Sequence, residues 1–456
     1  MTTGSARRVA VIGGGLAGIT AAIRLADANC AVTLIESRPR LGGLTYSFVR
    51  NGLNVDNGQH VFLRCCTSYR ALLERLDVTA GTTMQSSLDV PVIRASDGRL
   101  GRLRRDALPA PLHLARSLTS YAVLSFADRL RAVRGALALR GVPVDAAETD
   151  EVSFGDWLAD HGQNSATVAA LWDLVGIATL NARADDASLA VAATVFQVGL
   201  LTRADAADVG WATVPLQQLH GDAATRVLHE TGVTARLRTR ARRLTRRSNA
   251  WCVCTEDDVI EVDQVVVATD HATAEALLPT DALAQRPQWS ERLGWSPIVN
   301  AHLVFDCCVM TEPFLAGIGT AVQWVFDRTE QSGLDPTTGA QYVALSLSAA
   351  NDLANKPVAE LRALLVSELA QLLPVVHEAK ILDFFVTREP RATFLAAPGT
   401  RRDRPQPVTR QQGLYVAGAY TDTGWPATME GAVRSGEAAA AAVLAERHPS
   451  GAEVAA

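Results

Sequence analysis

Gly13-Gly14-Gly15-Leu16-Ala17-Gly18 follows directly on a short apolar run, Arg8-Val-Ala-Val-Ile12, and Glu36 stands 23 residues beyond Gly13. A strand, a Gly-x-Gly-x-x-Gly turn, a helix, a second strand (Ala31–Ile35) and an acid make a dinucleotide-binding βαβ unit. Each residue type has its reason. Gly13 allows the tight turn, Gly15 lets the backbone approach a pyrophosphate, and Gly18 lets helix and strand pack closely. The helix N-terminus at Leu16 and Ala17 turns N–H groups and a positive dipole toward the phosphates. Glu36 can accept hydrogen bonds from ribose hydroxyls.

The residues after the acid choose between cofactors. Glu36-Ser37-Arg38-Pro-Arg40-Leu-Gly42-Gly43-Leu44 puts two arginines and a glycine pair where a nicotinamide enzyme needs neither. The element resembles the second phosphate-contacting loop of the amine oxidase and phytoene desaturase flavoproteins. That resemblance implies non-covalent FAD, with Ser37, Arg38, Gly42, Gly43 and Leu44 near the pyrophosphate and Ala241 near the adenine. At the other end of the chain, Leu414-Tyr-Val-Ala-Gly418 reads as a strand, and Thr428-Met429-Glu430-Gly431 opens an Ala-rich helix. A helix N-terminus at Thr428 and Met429 suits the flavin N1–C2=O edge, where negative charge gathers on reduction. Desaturases usually carry an acid directly after the glycine corresponding to Gly418. Here Ala419 follows and Asp422 comes three residues later, so either Asp422 supplies the ribityl contact or that contact is lost.

Four segments resemble hydroxysqualene dehydroxylases within this superfamily: Asp56-Asn-Gly58-Gln-His60-Val-Phe-Leu-Arg-Cys65-Cys66, Leu171-Trp-Asp173-Leu-Val-Gly, Val214-Pro215 with His220-Gly-Asp222, and Gly424-Trp-Pro-Ala-Thr428-Met-Glu430-Gly431. The likeness runs from about residue 7 to about residue 445. It implies removal of the allylic hydroxyl of hydroxysqualene as water, with hydride delivered from N5 of reduced flavin to give squalene. Loss of the hydroxyl needs a proton donor, and the cation needs an apolar, water-excluding tunnel. His60 is the first candidate donor; its alternative is a histidine packed beside the cofactor with Gly58. Asp173 is the second, as a carboxylic acid kept neutral by burial; its alternative is a salt bridge or helix cap. Asn300 and His302 share one face of the Ser296–Asp306 strand by period-two alternation, bordering the cavity or serving as ordinary sheet residues. That strand has no lysine, unlike amine oxidases, and no cysteine lies near Gly418–Gly431 to bond a flavin covalently. A desaturase of a polyisoprenoid such as phytoene is the alternative reading. A non-catalytic polyprenyl-binding flavoprotein is the third.

The elements that must position these residues follow from the interruptions of the pattern. Residues 1–85, 213–274 and 409–446 are expected to build a discontinuous Rossmann-like α/β FAD-binding domain. Residues 86–212 and 275–408 should form an interleaved α+β substrate domain, and 447–456 a flexible tail. Arg236, Arg238, Arg240 and Arg242 alternate with smaller residues, which predicts one exposed face of a strand, with Arg243, Arg246 and Arg247 in the following turn. No stacking aromatics interleave them, so nucleic-acid binding is not expected.

Composition sets the outer limits. The 456 residues carry 48% hydrophobic and 20% charged residues at a net charge of −5, which excludes a disordered chain, a coiled coil and a general polyanion binder. Seven cysteines without metal-ligand spacing and no apolar leader predict a cytosolic protein without metal or structural disulfide. Residues 94–140 hold ten arginines against three acids around the apolar stretch Ala107–Phe126. Such a segment suits peripheral contact with the inner membrane face; the alternative is a helix pair with a solvated basic face. One Gly-rich nucleotide unit and no second imply that an external electron donor or reductase is needed.

Overall fold

The computed structural model describes residues 6–248 and 250–446; the tail expected at 447–456 lies outside them. Five strands form a fully parallel sheet in the order Thr234–Arg236, Ala31–Ile35, Arg8–Ile12, Gln264–Val267 and Leu414–Val416. Val9 and Val11 pack with Ile19 and Ile23 of the Leu16–Asp27 helix on one face, while Ala10 and Ile12 enter the core on the other. A parallel sheet covered on both faces needs such unbroken apolar strands. All the carboxyl ends lie along one edge, where ligands of open α/β sheets bind. Gly13 leaves the first strand at that edge and Gly418 follows the last.

A second sheet has seven strands, ordered Ile381–Thr393, Ser296–Phe305, Gln341–Leu347, Trp324–Asp327, Phe314–Ile318, Asp89–Arg94 and Arg99–Arg104. Its neighbours are antiparallel except at Phe314–Ile318 beside Asp89–Arg94. Alternation sorts the Ser296–Phe305 strand. Val299, Ala301, Leu303 and Phe305 pack on Leu361, Leu365 and Leu369 of the Val358–Leu372 helix, which turns Asn300 and His302 to the opposite face. Phe314, Ala316 and Phe326 share a core with Phe154, Trp172 and Phe196 from the helical segment between residues 112 and 201.

The arginine alternation does not make the expected strand. Only Thr234–Arg236 is extended in a ladder; Arg238 adopts φ +54°, and the next strand is Arg243–Arg247, paired with Ala250–Cys254. Backbone donors decide this. Arg238 N–H donates to Arg38 O at 3.0 Å and Thr239 N–H to Glu36 O at 2.9 Å, so the segment closes over the ribose acid instead of extending a ladder.

The two-stranded hairpin of Ser47–Arg50 and Leu53–Asp56 is tied to the seven-stranded sheet through one buried carboxylate. Asp56 accepts from Ser47 Oγ (2.6 Å) and Leu216 N–H (3.0 Å), and pairs with Arg328 at the end of the Trp324–Asp327 strand. Both charges are buried. Removing one partner strands the other in low dielectric, so Asp56→Ala should lower unfolding free energy by about 3–5 kcal/mol, read as a denaturant midpoint.

Two histidines are buried as neutral rings. His220 bonds Tyr69 OH (2.8 Å) and Leu216 O (3.1 Å); His302 bonds Tyr342 OH (2.8 Å) and Thr387 Oγ1 (3.1 Å). Burial pushes each down to about 3. The unfolded chain therefore binds protons more readily below the ordinary histidine range. Stability should be full above about pH 6.5 and fall by about 1.4 kcal/mol per pH unit for each ring toward pH 3. Equal urea midpoints at pH 7.5 and pH 5 would contradict this.

Candidate active site

Two of the three motif glycines are explained by the protein itself. A Cβ on Gly13, which has φ +113°, would meet Ala268 O at 2.4 Å, and one on Gly18 would meet Gly13 O at 1.8 Å. Gly15 differs. A Cβ there would touch only Gly43 Cα, at 3.8 Å, so the chain's own packing does not require glycine. The bare position faces the Gly42–Gly43 turn, and Gly15 caps the Leu16–Asp27 helix without a side-chain bond. The first-turn N–H groups of that helix have no intrahelical acceptors. This is a cradle of the kind a pyrophosphate fills.

Around it the structure assembles most of the expected contacts. Glu36 is buried; one carboxylate oxygen accepts Gly14 N–H at 2.6 Å and the other Arg38 N–H at 2.7 Å. Ser37 Oγ adds a bond at 3.2 Å. Ala241 lies two residues past Thr239, whose N–H holds the Glu36 carbonyl. Arg38 is exposed, whereas Arg40 lies over the Tyr46 ring at 3.3 Å and donates to Gly43 O at 3.1 Å. Leu44 is partly exposed beside the same turn.

The Met429–Ala445 helix brings a second N-terminus to this edge. Thr428 Oγ1 accepts Gly431 N–H at 3.1 Å, and Gly436 permits a close crossing, since a Cβ there would meet Ala17 O at 2.2 Å. Gly418 adopts φ +144°, and its N–H donates to Ser435 Oγ at 2.8 Å. Asp422 is otherwise engaged: its carboxylate accepts from Arg401 Nε at 3.3 Å and Gln406 Nε2 at 3.2 Å.

Arg404 is the residue sequence reasoning missed here. Its buried guanidinium donates to Tyr420 O, Thr421 O and Trp425 O at 3.1, 2.6 and 2.7 Å, staking down the loop between the last strand and the last helix. Burial lowers it to about 10. In the sequence it is one member of the charged run Arg401-Arg-Asp-Arg404, indistinguishable from a solvated surface. Pro405, which follows it, offers no better signal.

The Asp56–His60 segment leads from the buried ion pair to the second sheet. Gly58 lies between His60 and Asn300; a Cβ on it would meet His60 Cε1 at 3.4 Å and Asn300 Nδ2 at 3.6 Å. His60 Nδ1 lies 3.0 Å from Gly58 O. A carbonyl can only accept, so Nδ1 carries the proton and Nε2 of the neutral ring is an acceptor. Burial holds the imidazole below its usual range. To donate from Nε2, His60 must first take up a proton there, and burial makes the charged ring a readier donor than an ordinary imidazolium. Beside it is a cavity with room for about one water, walled by Trp211, Phe314 and Phe326. Asp173 has the cap role: Oδ1 accepts Ala184 N–H at 2.9 Å, while burial raises its carboxyl.

The comparisons with known proteins agree with this cradle. The model of the flavin containing amine oxidoreductases matches residues 16–444. A hydroxysqualene dehydroxylase of Rhodopseudomonas palustris is 29% identical over 447 residues, which cover 96% of this chain and 99% of that one. A Synechococcus elongatus protein named "Probable zeta-carotene desaturase" is 27% identical over 494 residues, covering 96% and 98%. Among solved structures, a triple mutant of putrescine oxidase superposes with a TM-score of 0.75 at 18% identity, covering 96% and 99%. FAD is the cofactor these residues fit, and the chain belongs to the flavin-containing amine oxidoreductase family of FAD-dependent oxidoreductases.

Proposed function

We propose that the protein is a hydroxysqualene dehydroxylase, removing an allylic hydroxyl reductively from a squalene-type isoprenoid. The observation that carries the reading is the meeting of His60 with the polar face of the Ser296–Phe305 strand beside Gly58. A desaturase could use a base there for the proton that leaves, but its hydrocarbon substrate presents no hydroxyl for an asparagine and a histidine to hydrogen-bond. The near full-length likeness to a named hydroxysqualene dehydroxylase supports it; the likeness to a carotene desaturase supports the opposite electron flow on the same fold.

Glu36, Gly15, Gly42, Gly43 and the two helix N-termini would hold FAD, which when bound and reduced supplies the electron pair. The remaining roles fall to the chain. His60, charged, is placed to protonate the departing oxygen as its C–O bond breaks, and its depressed proton affinity makes it a better donor than an ordinary imidazolium. Trp211, Phe314 and Phe326 exclude water from the cation's side. An external reductase restores the flavin. Asp173, tied to Ala184 N–H, steadies the helical segment instead of donating.

Anaerobic reduction of the purified flavoprotein, addition of hydroxysqualene and mass spectrometry form the test. Squalene should appear in step with flavin reoxidation. A flavin that stays reduced with no squalene formed sinks the reading, and reduction of oxidised flavin by a polyene would favour the desaturase.

No helix among the described residues is long and apolar enough to cross a membrane. The substrate is lipid-soluble, so we further propose peripheral contact through the Phe126–Leu139 helix. Phe126 is 71% exposed, and Leu130 and Leu137 follow on the same stripe, with Leu108 and Leu112 exposed just upstream. The charge is smaller than the sequence count implied. Arg94, Arg99, Arg102, Arg104 and Arg105 pair with Asp97, Asp89, Glu312 and Asp208. Arg116, Arg134 and Arg140 are exposed with no carboxylate partner among the described residues. The protein should co-sediment with phosphatidylglycerol vesicles, less so in high salt, and F126S/L130S should release it. Equal sedimentation of wild type and variant would refute the surface.

A further inference from the structure

On the face of the Ser296–Phe305 strand that looks away from the Val358–Leu372 helix, the polar groups are nearly all matched. His302 has a hydroxyl on each ring nitrogen, from Tyr342 and Thr387. Asn57 O accepts from both Asn300 Nδ2 and Thr387 Oγ1, each at 3.4 Å. That pairing fixes the orientation of the Asn300 amide, because a flip would set two carbonyl oxygens against each other. What remains is Asn300 Oδ1. Asn300 is 1% exposed, and its oxygen has no donor among the described residues.

A buried acceptor without a donor is costly, and most such groups in folded proteins are matched. The Nδ2 of the same amide lies beside Gly58, which also adjoins the His60 ring edge. We propose that Asn300 is the specificity-determining residue that recognises the substrate hydroxyl, its Oδ1 accepting the alcohol O–H; the proposal rests on the dehydroxylase reading above. The chemistry then separates alcohol from hydrocarbon. An alcohol satisfies Oδ1, whereas squalene or a carotene precursor covers it and leaves it desolvated and unmatched. The same acceptor suits the oxygen as it departs, since a protonated hydroxyl and then water offer two O–H donors where the alcohol offered one. Asn300 and His60 thus have complementary roles, the first accepting from the oxygen and the second giving it a proton.

The test titrates the oxidised holoenzyme, which cannot turn over, with hydroxysqualene and separately with squalene in detergent, reading the flavin absorbance change. Wild type should bind the alcohol on the order of 10- to 100-fold more tightly than squalene. Asn300→Leu should lose that preference through weaker alcohol binding, with squalene affinity kept or improved. Asn300→Val makes the same comparison if the leucine variant fails to hold FAD. A FAD-loaded variant that keeps the preference overturns the role of Asn300 while leaving the dehydroxylase reading intact. Wild type that neither prefers hydroxysqualene nor converts it when reduced overturns both.

Discussion

The buried pair of Asp56 and Arg328 is the constraint on which the site depends. One carboxylate gathers a serine from the Ser47–Arg50 strand, the N–H of Leu216 at a helix entry and a guanidinium from the seven-stranded sheet. These come from segments far apart in the chain. Buried ion pairs add little stability compared with a well-packed apolar core, and this one does something else. It anchors the start of Asn57, Gly58, Gln59 and His60, which lead from that strand's hairpin to the seven-stranded sheet. That anchor holds Gly58 between the His60 ring edge and the Asn300 amide nitrogen.

A second constraint is backbone-to-backbone approach at the carboxyl edge of the parallel sheet. Gly13 against Ala268, Gly18 against Gly13 and Gly436 against Ala17 are contacts in which any side chain would collide with main chain. They bring two helix N-termini to one edge. Positive ends converging on one edge suit a cofactor with phosphates at one end and a reducible ring at the other. Gly15, whose bare position meets nothing nearer than 3.8 Å, is then spared for the ligand.

The flavin cradle was legible because its parts are local. A strand, a turn, a helix and an acid within 29 residues, Arg8 to Glu36, carry their own spacing, and the Thr428 helix start carries its cap. The rest depended on long-range partners. Arg328 and Arg404 are chemically ordinary arginines until the fold supplies Asp56 or three carbonyls. The Arg236–Arg242 alternation looked like a strand, yet the turn at Arg38 claimed its backbone donors and Arg238 went left-handed. The basic count over 94–140 was correct as arithmetic, but acids at 89, 208 and 312 lay outside that window. His60 was legible as a residue type and place, whereas its tautomer was not, since that is set by a carbonyl two residues back.

The parallel sheet draws its strands from residues 8–35, 234–267 and 414–416. During synthesis the first βαβ unit emerges early, but the sheet's edge strand Leu414–Val416 and the helix that covers Ala17 arrive some 400 residues later. At about 5–20 residues per second, that is a wait on the order of 20–80 seconds. Over roughly the last 150 residues of it, Val265 and Val267 are made but still lack Leu414 and Val416. Nascent chains of this kind are open to chaperones and to aggregation. The cradle is complete only once the Met429–Ala445 helix has been made, so its assembly belongs to the end of synthesis.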